Sequence, residues 1–241
     1  MFGRLVTLMA TLRGHGGCDW DRAQDFASIV PYTIEEAYEV ADAVARDDMA
    51  ALCDELGDLQ LQVVFHAAIA ADRGAFTIDD VLAAIVAKME RRHPHIFFDA
   101  PRSDWESIKA AERSTADLPG ALAGVAQALP ALLRATKLQK RAARVGFDWP
   151  DPRGAREKIS EELAEVEAAT DPDHQAEEVG DLLFAVVNWA RHLGIDPEAA
   201  LRNANGKFER RFAAMEALDP DFVGRSLAEK EALWTAVKQR E

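Results

Sequence analysis

A short carboxylate pattern recurs four times in this chain, in two matched pairs. Glu35-Glu36-x-x-Glu39 is followed by Asp54-Glu55-x-x-Asp58, and Glu161-Glu162-x-x-Glu165 by Glu177-Glu178-x-x-Asp181. At about 100° per residue, the three acids of each copy fall on one narrow face of a helix. Two such helices packed face to face gather several carboxylates at one place. That much negative charge is tolerable mainly around a hard cation, and Mg²⁺ with oxygen ligands is the natural one. The pattern predicts a Mg²⁺ site between paired helices.

The pairs belong to a longer internal repeat. Cys18-Asp19-Trp20 is echoed by Phe147-Asp148-Trp149, and Lys88-Met89-Glu90-Arg91-Arg92 by Lys207-Phe208-Glu209-Arg210-Arg211. Trp105 with Lys109 is echoed by Trp234 with Lys238. All these matches keep one order, at offsets of roughly 120 to 130 residues. The chain reads as a tandem duplication: residues 1–115, a linker at 116–128, and residues 129–241. The stretch around the linker is rich in Ala, Gly and Leu and carries Pro119, Gly120 and Gly124. Each half is long enough to bury a core of its own.

Ala, Leu, Glu and Arg dominate while β-branched runs are scarce, which favours helix throughout. Helices are expected over 2–13, from a Thr33-x-x-Glu36 capping box to Arg46, over 48–73, and from Thr77 to Arg92. In the second half they are expected over 130–145, 153–169, 173–193 and 197–218, with Ser226-x-x-Glu229 capping a last one. No alternating strand pattern occurs, so the fold class is all-α, a doubled four-helix unit. Gly57 and Gly180 lie inside helices at a cost of about 1 kcal/mol each against alanine, and close helix contact is the simplest reason. The most apolar stretch, Leu59 to Ala71, is too short to span a bilayer. With no signal-like amino terminus and two cysteines lacking metal-site spacing, a cytoplasmic protein off the membrane is expected. A net charge of −14 argues against nucleic acid as a partner.

The paired E-E-x-x-E and E-x-G-D-L elements, the K-x-E-R-R helix and the trailing tryptophan, all present twice, closely resemble the MazG nucleoside triphosphate pyrophosphohydrolases, from about Leu5 to Lys238. The resemblance implies a homodimer of tandem helical domains. It implies Mg²⁺-dependent cleavage of a nucleoside triphosphate between its α- and β-phosphates, catalysed by the carboxy-terminal half. Carried over by position, Glu162, Glu165, Glu178 and Asp181 resemble the metal ligands. Lys158, Lys207, Arg211 and Trp234 resemble nucleotide contacts. His174 stands where one member of the family has a phosphate-contacting lysine.

The residues support the same chemistry without the family. A triphosphate cannot enter a carboxylate-lined site unless cations intervene, and Mg²⁺ commonly joins carboxylates to substrate phosphates. Glu161 is the choice for general base, or else a group that only orients its neighbours. Glu177, the remaining acid of the same face, is expected with His174 and Asn205 among the substrate-binding residues. Lys207, Arg210 and Arg211, at i, i+3 and i+4, present cations to a phosphate tail. Trp234 reads equally as a base platform or a packing anchor.

The halves differ near the substrate. Tyr32 stands where the second half has Lys158, and Val86 where it has Asn205. The amino-terminal set of Glu36, Glu39, Glu55, Asp58, Lys88 and Arg92 is therefore expected to form a weaker, regulatory or dimerising copy. A non-catalytic nucleotide-sensing or partner-binding protein is the alternative from another class.

Overall fold

The computed structural model describes residues 1–98, 108 and 120–240. Trp105, Lys109 and part of the expected linker lie outside the described residues. The chain divides into two compact units, Met1–Glu112 and Arg113–Glu241. Among the described residues there is no strand, and no helix is long and apolar enough to cross a membrane.

The amino-terminal unit runs α1 (Phe2–Arg13), α2 (Asp19–Ala23), α3 (Phe26–Ala45), α4 (Met49–Asp72), α5 (Ile78–Arg92) and α6 (Pro94–Phe97). α3 and α4 form an antiparallel hairpin, against which α1 packs. The core between them is Met9, Ile29, Val64, Phe65 and Ile69, each almost fully buried. Thr77 and Asp80 cap α5 reciprocally, as the sequence leads one to expect. Gly74, in the left-handed region at φ 64°, ends α4.

One helix start is corrected. The helix expected to begin at Thr33 begins two turns earlier, at Phe26. Asp25 and Ser28 form the capping box there, Ser28 N–H donating to Asp25 at 2.9 Å. Pro31 lies inside the helix, where its missing N–H leaves only the carbonyl one turn back without its usual bond. Thr33 is an interior residue instead: its hydroxyl donates to the Ile29 carbonyl and lies 2.9 Å from His66 Nε2. His66 stacks on Phe26, so it is a packed, partnered core histidine.

The carboxy-terminal unit runs α7 (Ala131–Arg144), α8 (Pro152–Ala168), α9 (Pro172–His192), α10 (Pro197–Leu218), a short 3₁₀ turn (Phe222–Gly224) and α11 (Leu227–Lys238). Helices α8, α9 and α10 open on the same device. Asp151, Asp171 and Asp196 accept a backbone N–H of the first turn, and proline follows each at the first helical position. α8 and α9 form the hairpin of this unit, α7 packs on α9 and α10, and α11 folds back on α10. Met215, Phe222 and Val237 are buried at that last contact.

An ion pair at the end of the second hairpin helix closes each unit. In the first, Arg13, only 8% exposed, joins Asp72 at 2.7 Å and donates to the carbonyls of Asp21 and Gln24. In the second the charges are exchanged: Asp148 accepts from Arg191 at 2.5 Å and lies 3.0 Å from His192. Arg191 is held further by Asn188. Burial pushes the Asp148 carboxyl up, but the hydrogen bond and charge of Arg191 and the nearby His192 outweigh it and leave it below the ordinary aspartate value. A carboxyl depressed in the folded state adds stability that is complete above the unfolded value near pH 3.9. That stability is lost as pH falls through the lower folded value. Asp148→Asn should therefore cost about 2 kcal/mol in urea unfolding at pH 7, and the gap from the parent protein should narrow as pH falls below the ordinary aspartate value.

Candidate active site

Each hairpin brings its acids together. In the carboxy-terminal unit, Glu162 of α8 with Glu178 and Asp181 of α9 each place one carboxylate oxygen within 4.8 Å of the others. In the amino-terminal unit the same holds for Glu36 of α3 with Glu55 and Asp58 of α4. Such a convergence of like charges, all oxygen donors and from two helices, is the donor chemistry that suits Mg²⁺. The first acid of each trio is partly or fully buried, and the aspartate faces solvent, so each site is open on one side.

Glu165 adjoins the second trio through a carboxyl–carboxylate hydrogen bond to Glu162. Glu39 adjoins Glu36 in the same way. Glu177 and Glu161 are exposed beside the trio, and neither belongs to it.

A cation separates the two sites. The Lys158 ammonium lies 2.5 Å from Glu162 and 2.8 Å from Glu161. Its hydrogen bonds to Glu161 and Glu162 hold its own pKa well above the ordinary lysine value. The hydrogen bond from Lys158 outweighs burial and holds Glu162 below the ordinary glutamate range, while hydrogen bonding to Glu162 and burial push Glu165 up. The first unit has Tyr32 there, and among the described residues no ammonium pairs with Glu36. Burial first, then Asp58, Glu39 and Glu55, pushes Glu36 up. Burial, Glu39, Asp54 and Asp58 push up Glu55, with Arg46 a minor counterweight. His174, one turn before Glu178, brings Nε2 to 2.9 Å from that carboxylate, an i, i+4 contact.

The expected nucleotide contacts fall into a second group. On α10, Asn205, Lys207 and Arg210 are exposed. Arg211 places its guanidinium 5.5 Å from the Trp234 ring centroid, and Phe208 tilts against the same ring at 5.5 Å. Phe208 also stacks on Phe212, which meets Phe222 edge-on. Trp234 is thus packed on one side and partly accessible. Phe208 was not singled out from sequence, although its i, i+4 spacing to Phe212 was the available signal. In the first unit, Lys88 is exposed and Arg92 half-buried on α5.

The expectation for Gly57 and Gly180 is overturned. A methyl group built at either would meet nothing within 4 Å, so no close helix contact requires a glycine. Each glycine immediately precedes the aspartate of its trio, and the open space lies there.

Residues 24–97 match the MazG nucleotide pyrophosphohydrolase domain family. Residues 141–208 match the phosphoribosyl-ATP pyrophosphohydrolase family. The chain is 47% identical over 255 residues to a nucleoside triphosphate pyrophosphohydrolase of Escherichia coli, covering 99% of this chain and 97% of that protein. It is 48% identical over 221 residues to a Thermotoga maritima nucleoside triphosphate pyrophosphohydrolase/pyrophosphatase MazG, covering 90% and 86%. A nucleoside triphosphate pyrophosphohydrolase of Mycobacterium tuberculosis is 34% identical over 176 residues, covering 70% and 50%.

Proposed function

Because this chain belongs to the MazG family of nucleoside triphosphate pyrophosphohydrolases, we propose that its carboxy-terminal unit cleaves nucleoside triphosphates between the α- and β-phosphates with Mg²⁺. The chain is a nucleoside triphosphate pyrophosphohydrolase, which removes the non-catalytic sensing protein from consideration. The metal, the bond cut and the half that cuts it are our reading. The observation that carries it is the trio of Glu162, Glu178 and Asp181 with Lys158 beside it: carboxylates converged closely enough to draw an ammonium to 2.5 Å.

The donor set fits Mg²⁺, with Glu162, Glu165, Glu178 and Asp181 as the residues to hold it. Bound there, the metal supplies charge neutralisation on the phosphates and a more acidic water. Lys158 then turns from Glu162 towards the phosphate chain, its charge already placed at the site. Glu161, exposed and 2.8 Å from Lys158, accepts the proton of the water that attacks the α-phosphorus. Pyrophosphate leaves against Lys207, Arg210 and Arg211. His174 and Asn205 supply further hydrogen bonds, and Glu177 orients the α9 face. Trp234, held between Phe208 and Arg211 and partly accessible, offers its ring to a base, which suits broad specificity for ribo- and deoxyribonucleotides.

Large apolar side chains stand exposed on both hairpins, Val30, Ile34 and Leu56 in one and Leu163, Val179 and Leu183 in the other. They support assembly as a homodimer. The amino-terminal site serves as the weaker or regulatory copy, and the protein controls the cytoplasmic nucleotide pool or clears it of unwanted triphosphates.

The test is turnover of a panel of ribo- and deoxyribonucleoside triphosphates with Mg²⁺, identifying both products. Monophosphate with pyrophosphate supports the reading, whereas diphosphate with orthophosphate moves the cut to the β–γ bond. On the same panel, Lys207→Ala or Arg210→Ala should raise KM about tenfold for every base alike. A loss confined to one base would put that residue at the nucleobase.

A further inference from the structure

The duplication leaves a groove at the same place in each unit, and the two grooves differ in charge. In the first, α1, the end of α4 and the start of α5 enclose about 250 Å³ lined by apolar residues such as Val6, Ala10, Val64 and Ala68 together with the Arg13–Asp72 ion pair. In the second, α7, the end of α9 and the start of α10 enclose about 270 Å³ lined by Thr136, Lys137, Lys140, Arg191, Ile195 and Asp196. In the register that pairs Lys88 with Lys207, Arg191 replaces Asp72. A mostly apolar groove with one internal ion pair in the first copy carries two exposed lysines in the second.

We propose that this second groove binds a small phosphoanion, inorganic phosphate or pyrophosphate, apart from the carboxylate site. Glu178 and Asp181 belong to the first half of α9, whereas Arg191 is in its last turn, about 15 Å along the axis from Asp181 at 1.5 Å per residue. α7 carries Arg134, Lys137, Lys140, Arg141 and Arg144 and no acid, in a chain of net charge −14. Such a local reversal of sign focuses anions. Lys137 and Lys140 have no carboxylate partner among the described residues, so their charge is not already spent. Arg191 is held by Asp148 and Asn188, which compensate its charge and give the groove a fixed wall, so the uncompensated positive charge is that of Lys137 and Lys140. Thr136 donates its hydroxyl to the Leu132 carbonyl, and Asp196 accepts from Ala199 N–H, so that the one carboxylate on the wall is partly engaged. At about 30 Å³ per water, the groove has room for a hydrated diphosphate. No aromatic face lines it, so it offers nothing to a base.

The test is calorimetric titration of the full chain with phosphate, pyrophosphate or ATP, in EDTA and low salt. Without a divalent cation the carboxylate trios repel anions, and the groove is read by itself. Pyrophosphate should bind, with ATP no tighter than pyrophosphate. Phosphate binding as well as pyrophosphate assigns a single phosphoryl subsite, and weaker phosphate binding assigns a diphosphate one. Lys137→Gln with Lys140→Gln should weaken binding at least tenfold, and the paired lysine-to-arginine variant should restore it. Both lysines are exposed, and thermal melting checks that each variant folds. The assignment is overturned if the parent chain binds neither anion. It is equally overturned if the glutamine pair binds as the parent does, or if binding is lost only with Lys207→Gln and Arg210→Gln. That last result would locate the anion on the face proposed for substrate, leaving the active-site reading standing while the groove assignment falls.

Discussion

Glu162→Gln should lower nucleoside triphosphate hydrolysis by about a hundredfold or more at saturating Mg²⁺, and Asp181→Asn should do the same. Glu162 is 4% exposed and lies at the meeting point of Glu165, Glu178 and Lys158. The amide keeps the shape but removes the negative charge, leaving a poor ligand for a hard cation and a Lys158 paired with Glu161 alone. Helicity should be unchanged, since α8 is capped by Asp151 and Pro152 well away from the substitution. Circular dichroism together with a pyrophosphate-release assay separates the two effects. Turnover within a fewfold of the parent protein in either variant would remove the trio from the mechanism.

The second large effect separates the units. Glu36→Gln with Glu39→Gln should leave most activity on common triphosphates, whereas Glu162→Gln with Glu165→Gln should abolish it. Ligand count favours neither unit, because both trios converge within 4.8 Å. The cation decides. Lys158 offsets the acids of the second trio, while burial and mutual repulsion push Glu36 and Glu55 up in the first. One charge-assisted hydrogen bond to the substrate is worth about 1.5–3 kcal/mol, or ten- to a hundredfold. Both double variants are to be checked for dimerisation by light scattering, since either unit can carry subunit contacts. Activity lost with the first pair alone would place the reaction in the amino-terminal unit.

The all-α class and the doubling were legible because they rest on period and repetition, signals that survive local substitutions. The carboxylate convergence was legible for the same reason: a face shared by i, i+1 and i+4 acids is a property of helix geometry. What escaped was set by choices between equivalent local signals. Thr33-x-x-Glu36 and Asp25-x-x-Ser28 both spell a cap. Only the packing of Ile29 against Met9 and Val64 makes the earlier one the start of α3. Glu165 and Glu39 share the helical face of the trios but sit one turn further along, so the pattern included them where three-way convergence does not. The open space at Gly57 and Gly180 was illegible because sequence records a missing side chain without recording what surrounds it.

Both trios are drawn from helices adjacent in the chain. Residues 46–48 alone join α3 to α4, and residues 169–171 join α8 to α9. Asp47 takes the left-handed conformation, φ 55°, to make the first of these turns. A ligand set built this way does not wait for distant segments to meet. It assembles when one short hairpin closes, early in folding, because little loop entropy stands in the way. The growing chain therefore meets its own carboxylate repulsion before a core exists to oppose it. On the proposed reading of the trios as metal ligands, a divalent cation present at that moment would relieve the repulsion in the same step.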